Sequence, residues 1–169
     1  MTPAPVARCA LVCRPIQWRA ARAWMRNHKH LSPPAGWLFG VAVYAGDALA
    51  CVAMLGRPVA RRLNDGLTAE VTRVATAKHD PVEHAAGKAL AAITRAARSL
   101  GYTRLVSYTR ADEKGTTYRA AGWRPTEITD GGEWSVPSRA RRPAEQPCRQ
   151  VRWEYGPGAA PGIDVVLPL

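Results

Sequence analysis

The sequence predicts an α/β sandwich around one mixed sheet, and three observations carry that expectation. Runs of β-branched and aromatic residues recur along the chain, separated by stretches whose apolar residues repeat every three or four positions. Their order is strand, helix, two antiparallel strands, then strand–helix–strand–helix–strand, which layers helices over a sheet. A length of 169 residues, 47% of them hydrophobic, suits one domain with its own core.

Residues 1–15 read as an irregular lead-in ending in a strand over Ala7–Val12. Ile16–His30 has helical spacing, with Ile16, Ala20, Ala23 and Trp24 on its apolar stripe, and Ser32-Pro33-Pro34 ends it. Strands over Trp37–Tyr44 and Ala48–Leu55 form a hairpin through Ala45-Gly46-Asp47. Gly56–Gly66 is a basic, turn-rich loop. Thr68–Thr76 alternates, so Glu70, Thr72, Val74 and Thr76 share one face, and Ala69, Val71, Arg73 and Ala75 the other.

A helix then starts at Asp80 as N-cap, with Pro81 in first position and Glu83 three after the cap. Its stripe is Ala86, Leu90, Ile93, Ala97 and Leu100, and Gly101 closes it. Arg104–Tyr108 is a short buried strand, and Thr116–Ala121 a short helix closed by Gly122. Trp123–Thr126 opens another strand, residues 131–150 form a basic loop, and Val151–Tyr155 is the last strand. Gly156–Gly162 reads as a flexible connector, so a single domain is expected over 1–155 and a connector with tail over 156–169.

The net charge of +11 and a pI near 10.3 imply an anionic partner, nucleic acid first, or else arginines that simply face solvent. No apolar run reaches the length of a spanning helix, and residues 1–14 lack the apolar core of a signal peptide. Cys9, Cys13, Cys51 and Cys148 form no CxxC pair and read as reduced thiols of a cytoplasmic protein.

Transfer of an acyl group from a CoA thioester to an amine needs backbone N–H groups at a helix N-terminus for the pyrophosphate. It also needs a splayed strand for the pantetheine, an acid for the leaving thiolate and a base for the amine. The segment His84-Ala85-Ala86-Gly87-Lys88-Ala89 follows a strand and opens a helix. It resembles the GNAT pyrophosphate motif Gln/Arg-x-x-Gly-x-Gly/Ala, with His84 in the Gln or Arg position. A helix start at Asp80 would set two carboxylates ahead of Gly87, against a pyrophosphate there. Tyr118-Arg119-Ala120-Ala121-Gly122-Trp123 resembles the same family's closing Tyr-x-x-x-Gly-Phe signature, whose tyrosine points at the CoA sulfur. The resemblance implies a mixed, mostly antiparallel central sheet flanked by helices, acetyl-CoA or another acyl-CoA as cofactor, and Tyr118 as acid.

A narrower resemblance rests on Ala69–Val74, Leu105–Tyr108 and Gly115–Trp123, with His28-Lys29-His30, Pro33–Gly36, Gly56-Arg57-Pro58 and Gly132–Arg139. Over residues 16 to 155 the chain is similar to phage and prophage GNAT-like proteins related to the Mu phage Mom DNA-modification protein. That resemblance implies a nucleobase acceptor in DNA, in the cytoplasm of a bacterial host. The remaining readings are an amine of a small molecule or protein, and a non-catalytic GNAT-fold nucleic-acid binder.

Among individual residues, Glu70 is the candidate base, with an ion pair to Arg73 as its alternative. Backbone at Val74 and Ala75 is the candidate carbonyl-polarising and cofactor-binding stretch, joined by His84, Ala85, Gly87, Lys88 and Tyr118. Ser107 is a candidate for orienting thiolate or substrate, and Tyr108 ends the same strand. His28 and His30 read as substrate-side groups or solvated helix-end histidines; a metal site would need His79 or a carboxylate as third ligand, and no metal is expected. Arg57, Trp134 and Arg139 suit phosphate binding and stacking on an unpaired base.

Overall fold

The computed structural model describes residues 10–28, 34, 36–130 and 149–164. In chain order the elements are β1 (Leu11–Ile16), α1 (Trp18–His28), β2 (Phe39–Ala45), β3 (Ala48–Gly56), β4 (Thr68–Thr76), α2 (Ala85–Ser99), β5 (Arg104–Arg110), α3 (Thr116–Ala120), β6 (Arg124–Thr129) and β7 (Gln150–Tyr155). The strands form one sheet in the order β1-β2-β3-β4-β5-β7-β6, antiparallel throughout except for β4 against β5. The α/β expectation holds, with helices on both faces.

One face packs on α2: Leu90, Ile93 and Ala97 meet Val43, Leu55, Val71 and Leu105 in the larger core. The other packs on α1: Ala21 and Met25 meet Val52, Met54 and Ala75. The expected α1 stripe is rotated, with Ala20 and Ala23 exposed. Burying Met25, with Trp18 and Trp24 beside it, removes far more apolar surface from water than burying those alanines would. Between β2 and β3 the turn is Gly46-Asp47, and Gly46 supplies its positive φ of 60°.

Two features of β4 build the site. Pairing with β5 spans Thr68–Glu70 against Arg104–Val106 and then stops, although both strands continue. Opposite β3, the register shifts between Met54 and Leu55, so Thr72 is a bulged extra residue whose hydroxyl donates to the Met54 carbonyl at 3.3 Å. The bulge corrects the simple alternation. Val71 and Val74 both face α2, whereas Arg73, opposite Met54, and Ala75 lie on the α1 side with Glu70.

Other corrections have local causes. The first strand runs Leu11–Ile16 rather than ending at Val12; it is an edge strand, where Pro15 removes no essential ladder bond. Helix α2 starts at Ala85, not Asp80, because Val82 is drawn into the core and His84 turns left-handed at φ 63°. At its far end Leu100 is exposed, so the stripe stops at Ala97. The connector after Tyr155 is tied down through its described part. Gly158 N–H donates to Thr103 O at 3.1 Å, Ala160 N–H to the Glu154 carboxylate at 2.8 Å, and Ile163 N–H to Pro125 O at 2.8 Å.

Candidate active site

The site grows from the point where β4 leaves β5. There the Ser107 hydroxyl donates across the gap to the Val71 carbonyl at 2.8 Å. The Tyr118 hydroxyl lies 2.7 Å from the same Ser107 oxygen. Ser107 has one proton and a carbonyl only accepts, so Tyr118 must be the donor in that second bond. A directed chain results, from Tyr118 to Ser107 to Val71.

Tyr118 is held by stacking on Trp153, centroids 5.5 Å apart, and by an edge contact with Trp123 at 5.6 Å. Burial of the phenol pushes its pKa up to about 12, against the opposing effect of the Ser107 hydrogen bond. The group therefore stays protonated and able to donate at any ordinary pH.

Glu70 sits at the last position of β4 that pairs with β5, 6% exposed. The Val59 N–H donates to its carboxylate at 2.9 Å. Burial raises its pKa, and the Val59 bond and the Arg73 charge only partly offset that. A buried carboxylate of raised basicity is a fit base. Gly36 and Gly56 roof this side; a Cβ on Gly56 would stand 2.7 Å from the Gly36 carbonyl oxygen. That contact brings together the Gly36 and Gly56-Arg57-Pro58 segments singled out in the sequence.

On the opposite face, a cleft of about 410 Å³ is lined by Thr76, Val82, His84, Gly87, Thr117 and Ala121, among others. It joins the free end of β4, the start of α2 and α3. The first turn of α2 contains no acid, and the Glu83 carboxylate just ahead of it lies 3.2 Å from His84 Nε2, so the electrostatic objection to a phosphate is reduced. Lys88 N–H bonds to His84 O and Ala85 N–H to Val82 O, so Ala85 does not offer the amide expected of it. Helix geometry leaves Ala86 and Gly87 without intrahelical acceptors. A Cβ on Gly87 would meet nothing within 4 Å, so no protein neighbour requires the glycine.

The other expected residues divide. Past the bulge, the Ala77 N–H donates to Ala50 on β3, and strand alternation turns Ala75 N–H the same way and Val74 N–H toward the splay. Ala75 is therefore not an amide donor to the cleft. His28 is stacked on Trp24 at 3.7 Å, and its Nδ1 accepts the Lys78 N–H at 3.1 Å, which commits it to holding the loop after β4. Tyr108 lies on the Glu70 side of β5, half-buried, its pKa raised by burial and by the Glu70 charge. Arg57 is exposed. His30, Trp134 and Arg139 lie outside the described residues. Among the described residues no cluster of metal-ligating side chains occurs.

Three supporting residues escaped the sequence reading. Val59 holds Glu70 through its backbone, which no side-chain pattern reveals. Trp153, fully buried with its indole N–H on Thr109 at 2.9 Å, is the platform for Tyr118. Gly115 has φ 63°, and a Cβ there would lie 2.2 Å from the Trp153 ring, so glycine is needed for that ring to reach Tyr118.

No protein-family model and no curated protein sequence matches the chain. Solved structures do. An N-acetyltransferase from Staphylococcus aureus superposes with a TM-score of 0.65 at 10% identity, over 87% of this chain and 98% of the other. The ribosomal-protein-S18-alanine N-acetyltransferase of Escherichia coli gives 0.61 at 9%, over 89% and 99%. A GNAT-family acetyltransferase from Elizabethkingia anophelis, solved with acetyl-CoA bound, gives 0.56 at 13%, over 86% and 97%. The chain has the fold of the GNAT acetyltransferases. The narrower similarity to Mom-related proteins rests on the sequence motifs alone.

Proposed function

We propose that this chain is an acyl-CoA-dependent N-acyltransferase working at the β4–β5 splay, with acetyl-CoA as the expected donor. The observation that carries the reading is the opening of the sheet directly above Glu70, with the Tyr118–Ser107 pair at its apex. The acid-free start of α2, with Gly87 facing open space, supports a pyrophosphate seat. His84 borders that seat, whereas Lys88 is exposed and does not line the cleft; the thioester supplies an activated acyl carbon.

In this mechanism Glu70, directly or through water, takes the proton of the attacking amine. Strand backbone near Val74 is the stretch assigned to polarising the acyl carbonyl, and Tyr118 turns its hydroxyl from Ser107 to protonate the departing thiolate. Ser107 positions Tyr118 before and after that turn. Strand alternation puts base and acid on opposite faces of the sheet, since Glu70 pairs with Val106 and Tyr118 bonds to Ser107 one position on, so acceptor and donor enter from opposite sides.

For the acceptor, we infer an amine of a nucleobase in DNA. Net charge of +11 and the Mom-like motifs support this choice over a small-molecule or protein amine, and over a non-catalytic nucleic-acid binder. Incubation with labelled acetyl-CoA and a panel of modified and unmodified DNA, followed by nucleoside mass spectrometry, tests it. Label on a nucleoside is expected. Label only on protein or small amines would overturn the DNA acceptor and keep the transferase, and no label on any amine would overturn both.

A further inference from the structure

Charge is distributed unevenly over the fold. Residues 10–63 contain a single acid, Asp47. On α1, Arg19, Arg22 and Arg26 fall at spacings of three and four and are all exposed, opposite the buried Ala21 and Met25. They span about 10 Å of one helix face. In the loop beside Glu70, Arg57, Arg61 and Arg62 are exposed as well. Among the described residues none of these six meets an acid. Asp65, next in sequence, accepts from Leu67 and Thr68. Among the described residues, the arginines within 4 Å of an acid in the ion pairs seen, Arg104, Arg110, Arg149 and Arg152, belong to the β5–β7 half, and Arg73 acts on Glu70 through its charge.

Burying or pairing a guanidinium neutralises its long-range field; leaving six exposed without counter-charges projects it. Both trios border the α1 side of the sheet, the side on which Glu70 lies, while the donor cleft opens on the other. We infer that α1 and the 57–62 loop form a docking track for the phosphodiester backbone of nucleic acid, which carries the acceptor base to Glu70. Guanidinium groups suit this role because their fork matches phosphate oxygens. The inference rests on the acceptor-side assignment made above, and it names the surface that would deliver the substrate.

The test uses the full chain, a labelled 20-base-pair duplex DNA and no acetyl-CoA, with affinity measured across salt concentrations. Each phosphate contact adds about 0.9 to the slope of log affinity against log salt, so R19Q/R22Q/R26Q is expected to lower that slope by about 2 to 3. Affinity at low salt should fall at least about tenfold. R19K/R22K/R26K should keep the slope, and R95Q/R124Q, exposed positions on α2 and β6, should change it by less per residue. An unchanged slope in the glutamine triple variant overturns the track, as does polyglutamate competing as well as unlabelled DNA. Acetyl-CoA affinity, titrated separately, should be the same in all variants. Its absence in the wild type would overturn the transferase reading and leave the docking result standing.

Discussion

Replacing Tyr118 with Phe deletes one oxygen and little else, and the structure lets each consequence be sized. The lost group is the donor to Ser107, 2.7 Å away. Ser107 keeps its bond to Val71 O, so no buried proton is orphaned, and the folding cost is that of one hydrogen bond, about 1 kcal/mol. The ring keeps its contacts with Trp153 and Trp123. Acid catalysis contributes about 10²-fold or more, so kcat should fall by at least about 10²-fold, equivalent to about 2.7 kcal/mol at the transition state. Acetyl-CoA affinity should stay within about twofold, because a hydroxyl used only as sulfur leaves contributes little to ground-state binding. Steady-state rates at saturating acetyl-CoA, calorimetric affinity and urea unfolding separate the three quantities. A variant with kcat within about threefold of wild type would refute the acid assignment.

Other perturbations probe the remaining parts. Glu70→Gln should abolish the acidic limb of the pH–rate profile, a limb that lies above the ordinary glutamate range because burial raises the carboxyl. The same shift means folded Glu70 holds its proton where the unfolded chain has lost it; stability therefore falls as pH rises through that window, and the variant should flatten the dependence in urea melts. Gly115→Ala combines a left-handed backbone with a clash against Trp153, costing about 2–4 kcal/mol in unfolding free energy and displacing Tyr118 with its platform. Glu154→Ala leaves Arg104 and Arg152 facing each other across a buried gap; discounted for their partial exposure, the loss is about 2–4 kcal/mol by denaturant titration. Gly87→Val leaves the fold intact, since a side chain there has room, yet should weaken acetyl-CoA binding at least about tenfold by filling the seat.

Much of the fold was legible because its signals are local. The alternation of Thr68–Thr76, the Gly46-Asp47 turn and the stripe through Leu90, Ile93 and Ala97 each specify their own element. The start of α2 was misread because Asp80-Pro81 is a good local cap, and only the core's demand for Val82 overrides it. Faces of β4 beyond Thr72 were misread because a bulge is a property of the β3–β4 pair rather than of either strand. At the candidate site, residue type and order single out Glu70, Ser107 and Tyr118. Their joint geometry was not, since the 2.7 Å contact depends on Trp153, which lies 35 positions beyond Tyr118 in sequence.

The opening between β4 and β5, capped by the start of α2, is proposed to receive an acyl-CoA. Isothermal titration of acetyl-CoA into the purified chain tests it most directly, with Gly87→Val in parallel. Saturable one-to-one binding by the wild type is expected, with its loss or marked weakening in the variant. An absence of binding heat by the wild type across temperatures, or equal binding by both proteins, would contradict it.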